Sequence, residues 1–278
     1  MLAQPDVLAR RWQATLALDF APRHGRTVIA RRDMRGPLAV QKAFYPEGEL
    51  AHVYLLHPPA GLVGGDSLDI RLRTQPGACA LVTTPASGKV YRSAGSVASQ
   101  LLRLEVGAGS SLEWLPQDTI LFDASRYAAR TRLELAGDAR YLGRDQLVLG
   151  RPAHGDDYAS GSADQLLEVY VDGEPLLEER LRIDAPSPFM QAPWGLGGRR
   201  VSGALHAWPA DDAVVESARA VAPPAQVEVG VTRIGALLCL RCLGHDATAV
   251  RDYLAAVWAA LRPAVIGRTP SAPRVWRT

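Results

Sequence analysis

Apolar and polar positions alternate along much of the chain. Leu68-Asp69-Ile70-Arg71-Leu72, Gln100-Leu101-Leu102-Arg103-Leu104-Glu105-Val106 and Thr131-Arg132-Leu133-Glu134-Leu135 are alternating or apolar runs rich in strand formers. A period of two places successive side chains on opposite faces of a sheet, so each run predicts a strand with one buried face. Turn signals separate the runs: Gly36-Pro37, Pro46-Glu47-Gly48, Pro58-Pro59, Gly64-Gly65-Asp66, Pro76-Gly77, Gly107-Ala108-Gly109, Ala136-Gly137-Asp138 and Asp172-Gly173. Their recurrence at strand-plus-turn intervals predicts an all-β sandwich, barrel or solenoid. Residues 166–171 and 176–183, joined across Asp172-Gly173, read as a hairpin. Leu112-Glu113-Trp114-Leu115-Pro116-Gln117-Asp118-Thr119 reads as a strand cut by proline, on an edge or at a bend.

Helical periodicity occurs twice, both times late. Residues 246–261 set Val250, Tyr253, Leu254, Val257, Trp258 and Leu261 on one stripe, with Asp246 or Thr248 to cap the start and Pro263 to mark the end. Residues 211–221 form a shorter candidate between Pro209 and Pro223-Pro224. No repeat of fixed length is visible. The expectation is a single domain over residues 1–278, all-β dominated, with two α-helices in the C-terminal third and a basic tail, 263–278, as its least ordered part.

Composition narrows the classes. The chain has 278 residues, 47% apolar and 22% charged, with a net charge of +2, which excludes a disordered or collagen-like chain. No run approaches the ~20 apolar residues of a spanning helix. Residues 1–11 carry charges where a leader would be apolar, and three cysteines form no disulfide framework, so a cytoplasmic chain away from membranes is expected. Dispersed arginines and near-zero charge predict no nucleic-acid partner.

Familiar chemistry is sparse. Cys239-Leu240-Arg241-Cys242 lies in the apolar run 234–243, read as one strand, where residues three apart point to opposite sides and the sulfurs diverge. The six histidines make no His-x-x-x-His pair, and there is no Gly-x-Ser-x-Gly elbow or P-loop. Gly195-Leu196-Gly197-Gly198-Arg199 reads as a plain loop.

Three runs stand out: His57-Pro58-Pro59-Ala60-Gly61-Leu62-Val63-Gly64-Gly65-Asp66, the stretch from Thr83-Thr84-Pro85 to Lys89-Val90-Tyr91-Arg92, and Leu112-Glu113-Trp114-Leu115-Pro116-Gln117. With Gly137-Asp138-Ala139-Arg140, Leu149-Gly150-Arg151, Glu179-Arg180-Leu181, residues 258–263 and Pro273-Arg274-Val275-Trp276, they resemble, in order, the UreD (UreH) family of urease accessory proteins. The resemblance implies a β-helix-like stack of strands and a non-catalytic scaffold. Such a scaffold joins the accessory protein UreF and the nickel-carrying GTPase UreG to apo-urease and assists nickel insertion through a polar internal tunnel. It implies no tightly bound cofactor, only transient nickel. Carried over by motif, Asp66, Asp145 and Glu179 would coordinate or steer the cation and Thr83 and Thr84 would supply neutral oxygens. The late helix, with Tyr253 and Trp258, is expected either to pack on the β body or to bind the partner scaffold protein. The alternative is a metal-dependent enzyme using Asp66, Asp145, Glu179 and a histidine. Alanines 60 and 124 stand where the family customarily has glycine, Asp118 replaces a common glutamate, and Leu142-Gly143-Arg144-Asp145 replaces Leu-Gly-Trp-Glu.

Overall fold

The computed structural model describes residues 12–151 and 154–277; the charged stretch 1–11 and Thr278 lie outside them. The chain enters through a hairpin of β1 (Gln13–Arg23) and β2 (Arg26–Arg35), then passes β3 (Ala39–Val40) and β4 (Ala51–Leu56). From there it winds. One coil is β5 (Ser67–Thr74), β6 (Cys79–Thr83) and β7 (Gly88–Val90), and the next is β8 (Ala98–Val106), β9 (Ser111–Leu115) and β10 (Thr119–Leu121). A third coil contributes β11 (Arg126–Leu135) and β12 (Arg140–Leu149), after which β13 (Gly161–Val171) folds back as a hairpin with β14 (Glu174–Ala185). A single-turn helix, α1 (Pro188–Gln191), leads to β15 (Val201–Trp208) and α2 (Asp212–Arg219). The hairpin of β16 (Glu228–Ile234) and β17 (Leu237–Gly244), helix α3 (Ala247–Val265) and a 3-10 turn (Arg274–Arg277) follow.

Stacked coils bring like positions together in parallel. Ser67 lies beside Ser99, Ser99 beside Ala128 and Ala128 beside Asp164 in the first sheet. Cys79, Ser111 and Arg140 form the corresponding row of the second, and Gly88, Thr119 and Leu147 that of the short third side. The first sheet runs β14-β13-β11-β8-β5-β1-β2, and the main path of the second runs β16-β17-β15-β12-β9-β6-β4-β3. The β-helix-like stack is therefore present, with antiparallel strands closing its ends. Corners of successive coils touch: a Cβ at Gly64 would come 2.7 Å from the Ser96 carbonyl oxygen, so this corner admits only glycine without displacement.

Two cores result. One lies between the sheets and contains Leu16, Phe20, Leu72, Leu104 and Val169. The other lies between the second sheet and the helices and contains Leu81, Leu115, Leu142, Leu240, Val257 and Leu261. Alternation in β5, β8 and β11 is clear because their outward face is solvated and charged, with Arg71 on Glu105, Arg103 on Asp69 and Arg130 on Glu168 linking neighbouring strands. The second sheet has protein on both faces, and β9 is buried at every position.

Several local expectations change. There are three helices among the described residues, α1 being the addition. Run 234–243 is not one strand: Gly235, at φ 58°, turns it into the β16–β17 hairpin. Pro116 follows a central strand and sits at a bend, not an edge. Pro263 lies inside α3, which continues to Val265. The tail is docked: the Trp276 indole packs edge-on against Trp258 with centroids 5.4 Å apart and lies under the Arg144 guanidinium at 4.3 Å.

Candidate functional site

A cavity of about 810 Å³ opens between the sheets where β13 and β14 face β12, β15 and β17. It is hollow because the second sheet presents small residues there. Asp145, Ala204 and Arg241 form one cross-strand row, and Gly143, His206 and Cys239 the next. Ala204 and Gly143 leave the space between the longer side chains unfilled. A Cβ on Gly143 would overlap the Tyr141 hydroxyl, so this glycine is what lets the phenol lie against the wall. The opposite wall carries Gln100, Thr131, Gln165 and Glu179 from the first sheet.

Asp145 is enclosed by protein, yet its side chain keeps accessible surface because that surface faces the cavity. Its carboxylate accepts from Gln165 Nε2 at 2.8 Å and from the Gln146 backbone N–H at 3.0 Å. Burial pushes its pKa up from the ordinary value against these bonds. Glu179 behaves in the opposite way. Burial alone would raise it, but His206 and the two-pronged Arg241 fork outweigh that and hold it near 2 instead of 4.5. Arg241 Nη2 donates to Glu179 Oε2 at 2.6 Å, and its Nε donates to Oε1. His206 Nε2 stands 3.6 Å from Glu179 Oε2, beyond hydrogen-bond length, and has no hydrogen-bond partner although it is buried.

The expected site residues divide. Thr84, Asp145 and Glu179 line the one cavity. Asp66 does not line it; its carboxylate caps a turn, accepting from the N–H of Val63 at 3.0 Å and of Trp12 at 2.9 Å. Thr83 also lies elsewhere, donating to the Leu115 carbonyl at 2.5 Å and accepting from Trp276 Nε1 at 3.0 Å. Its neighbour Thr84, just past the end of β6, lines the cavity and accepts from the Gln117 N–H at 2.9 Å. His206, Arg241 and Gln165 were not anticipated. Their inward i, i+2 positions follow from alternation, but which strands face one another does not.

Tyr253 and Trp258 are buried on the second sheet and offer a partner no surface in this structure. Trp258 Nε1 donates at 2.7 Å to Glu113, which also receives Arg262 Nε at 3.0 Å. Arg262 reaches Glu47 at 2.6 Å, and Glu47 lies 2.6 Å from His52 Nε2. Glu113 and Arg262 are both fully buried; burial pushes the Glu113 carboxyl upward against the pull of Arg262 and Trp258. Every polar group of this cluster except His52 Nδ1 is committed inward.

Among the described residues no three His, Cys, Asp or Glu side chains gather to hold a metal ion. Cys239 belongs to the intersheet core and Cys242 to the core under α3, so their sulfurs diverge as alternation requires. No described helix is long and apolar enough to cross a membrane.

Fold and site together define a β-solenoid whose interior exposes carboxylate, imidazole and amide groups to a cavity. Within that class, the chain belongs to the UreD family of urease accessory proteins, whose family model matches residues 13–277. It is 45% identical over 96% of its length to the urease accessory protein UreD of Alkalilimnicola ehrlichii, covering 92% of that protein. It is 42% identical to that of Dechloromonas aromatica, covering 98% of it, and 40% identical to that of Klebsiella aerogenes, also covering 98%.

Proposed function

We propose that this chain is a cytoplasmic, non-catalytic maturation factor for urease. It joins the scaffold protein UreF and the GTPase UreG to apo-urease, and nickel passes as cargo along its polar cavity. The observation that supports the reading is the intersheet cavity with Asp145, Glu179 and Thr84 on its walls. Carboxylate, hydroxyl and amide oxygens hold a divalent nickel ion less firmly than clustered thiolates and imidazoles do, so an ion in such a channel can leave again. Of the two acids on its walls, Glu179 is met by the Arg241 fork and Asp145 by no cation among the described residues, so Asp145 is the one left to attract a passing ion. That no three His, Cys, Asp or Glu side chains gather among the described residues suits a path better than a resident site.

The test compares urease activity and nickel content in cells expressing the urease proteins with and without this chain. Inactive, nickel-poor urease in its absence, restored on re-expression, is the expected result; fully loaded urease in its absence defeats the proposal. Replacing Asp145 and Glu179 together by alanine is expected to leave a folded chain that delivers less nickel. Asp66→Ala is expected to weaken the 63–66 turn without lowering the nickel delivered per folded molecule.

A further inference from the structure

Glu179 stands on the outer strand of the first sheet, and Arg241 on β17, next to the outer strand of the second. Their ion pair spans the gap between the two sheets and lines the cavity. Both side chains keep partial exposure, 28% and 42%, and Asp145, in the same cross-strand row as Arg241, also keeps accessible surface toward the cavity. An acid offered to a passing cation is thus already occupied by an internal cation, held at both carboxylate oxygens. A bidentate guanidinium–carboxylate pair is among the stronger side-chain contacts, and two cations do not share one carboxylate in a confined space. His206 supplies the second element. Its Nε2 is buried, lacks a partner and lies 3.6 Å from the same carboxylate oxygen. Nε2 offers a lone pair to a metal only in the tautomer that keeps the ring proton on Nδ1, the tautomer that ligation would select.

We infer that Arg241 is a gate that keeps Glu179 closed to metal, and that His206 and Glu179 together receive a borderline divalent transition-metal ion once Arg241 has moved aside. The inference rests on the cation-path reading above and names what regulates it. Ligand exchange needs no chemistry beyond rotation of the arginine side chain. Its charge is then available to Asp145, the unpaired acid of the same row. An imidazole–carboxylate pair selects ions of the nickel, cobalt and zinc kind over magnesium and calcium, which prefer oxygen shells. Two protein ligands leave the remaining coordination positions to water, consistent with an ion in transit. A gate of this kind admits the ion only when something, such as a docked partner pulling on the β16–β17 edge, favours the open side chain.

The test is nickel affinity of the purified full-length chain, read by competition with a metallochromic dye, with the visible absorption of added cobalt as a second signal. If the closed pair holds about nine-tenths of molecules, removing it raises apparent affinity about tenfold, because only the open fraction binds. Arg241→Gln is therefore expected to bind nickel about tenfold more tightly than the parent and to give a cobalt spectrum with nitrogen ligation. Adding His206→Gln is expected to cancel both changes, and magnesium is expected not to compete. Unchanged nickel affinity in R241Q overturns the gate, and R241Q/H206Q retaining the R241Q affinity overturns His206 as ligand. Should R241Q fail to fold, Arg241→Lys keeps the charge but loses the fork. A smaller gain in the same direction is expected of it, and no gain overturns the gate. None of these readouts involves urease, so their failure leaves the maturation reading standing, while dispensability of the chain for urease loading defeats that reading alone.

Discussion

Alanines 60 and 124 hold φ of 63° and 60°, in the left-handed region that glycine adopts freely and alanine only at a cost. An L-residue there costs about 1–2 kcal/mol, partly offset by the extra freedom glycine would bring to the unfolded chain. Ala60→Gly and Ala124→Gly are each expected to leave stability unchanged or raise it by up to about 1 kcal/mol, seen as a higher urea midpoint at constant m-value. These strained positions were visible in the sequence as departures from the family's customary glycines, even though no backbone angle was. Glu179 gives a second residue-scale expectation. Its pKa is depressed from 4.5 to about 2 in the folded chain, so the stability it contributes is fully present above about pH 4.5 and is lost as pH falls toward 2. The stability difference between the parent and Glu179→Gln, followed by denaturant unfolding at successive pH values, is expected to shrink across that window. A difference independent of pH there contradicts the ion pair.

The start and buried stripe of helix α3 were legible, because an amphipathic stripe and a capping acid are local signals, while its end was not, since Pro263 is carried within the last turn; Asp246 does accept from the N–H groups of Thr248 and Ala249. What the stripe could not disclose is that its far end carries a charge into the core. Arg262 continues the buried face and meets Glu113 on β9, 149 residues earlier, and Glu47, 215 residues earlier. Removing one partner of such a pair strands the other in low dielectric, at about 3–5 kcal/mol, whereas replacing both by apolar side chains is often close to neutral. Arg262→Met, which leaves the fully buried Glu113 without its cation while Glu47 keeps His52, is expected to show that loss in urea unfolding, and Glu113→Gln with Arg262→Met to recover most of it. Equal losses in the single and double variants would mean that the cost is packing alone. Tyr253 and Trp258, expected from sequence either to pack on the β body or to dock a partner, do the former and belong to this same buried face: an apolar stripe announces that it will be covered, not by what.

At the scale of the molecule, strand content and two of the three helices followed from periodicity, while the stacking came only through family resemblance. The reason is physical. The step from Ser67 to Ser99 differs from that between Ser99 and Ala128 and from that between Ala128 and Asp164, so the coils leave no fixed sequence period. The cavity was hidden for the same reason, since it depends on Asp145, Gln165, Glu179, His206 and Arg241 being brought together from five strands. The unequal surroundings of the two sheets carry an expectation of their own. Strands β9 and β12, covered on both faces, are expected to exchange amide hydrogens more slowly than β5 and β8, whose outer faces are wet, with edge strands β2 and β14 fastest. Uniform protection across the two sheets would show that the helical layer adds little to the stability of the second.

The docked tail has a consequence for how the protein is made. Trp276 donates to Thr83 across 193 residues of chain, and the apolar underside of β6, β9 and β12 is covered by α3, which is translated long after them. The coils can pile up on the ribosome in the order they emerge, but that underside stays bare until residue 261 has been made, and the indole that latches it arrives later still. The nascent chain is at its stickiest after its coils have formed and before α3 has been translated.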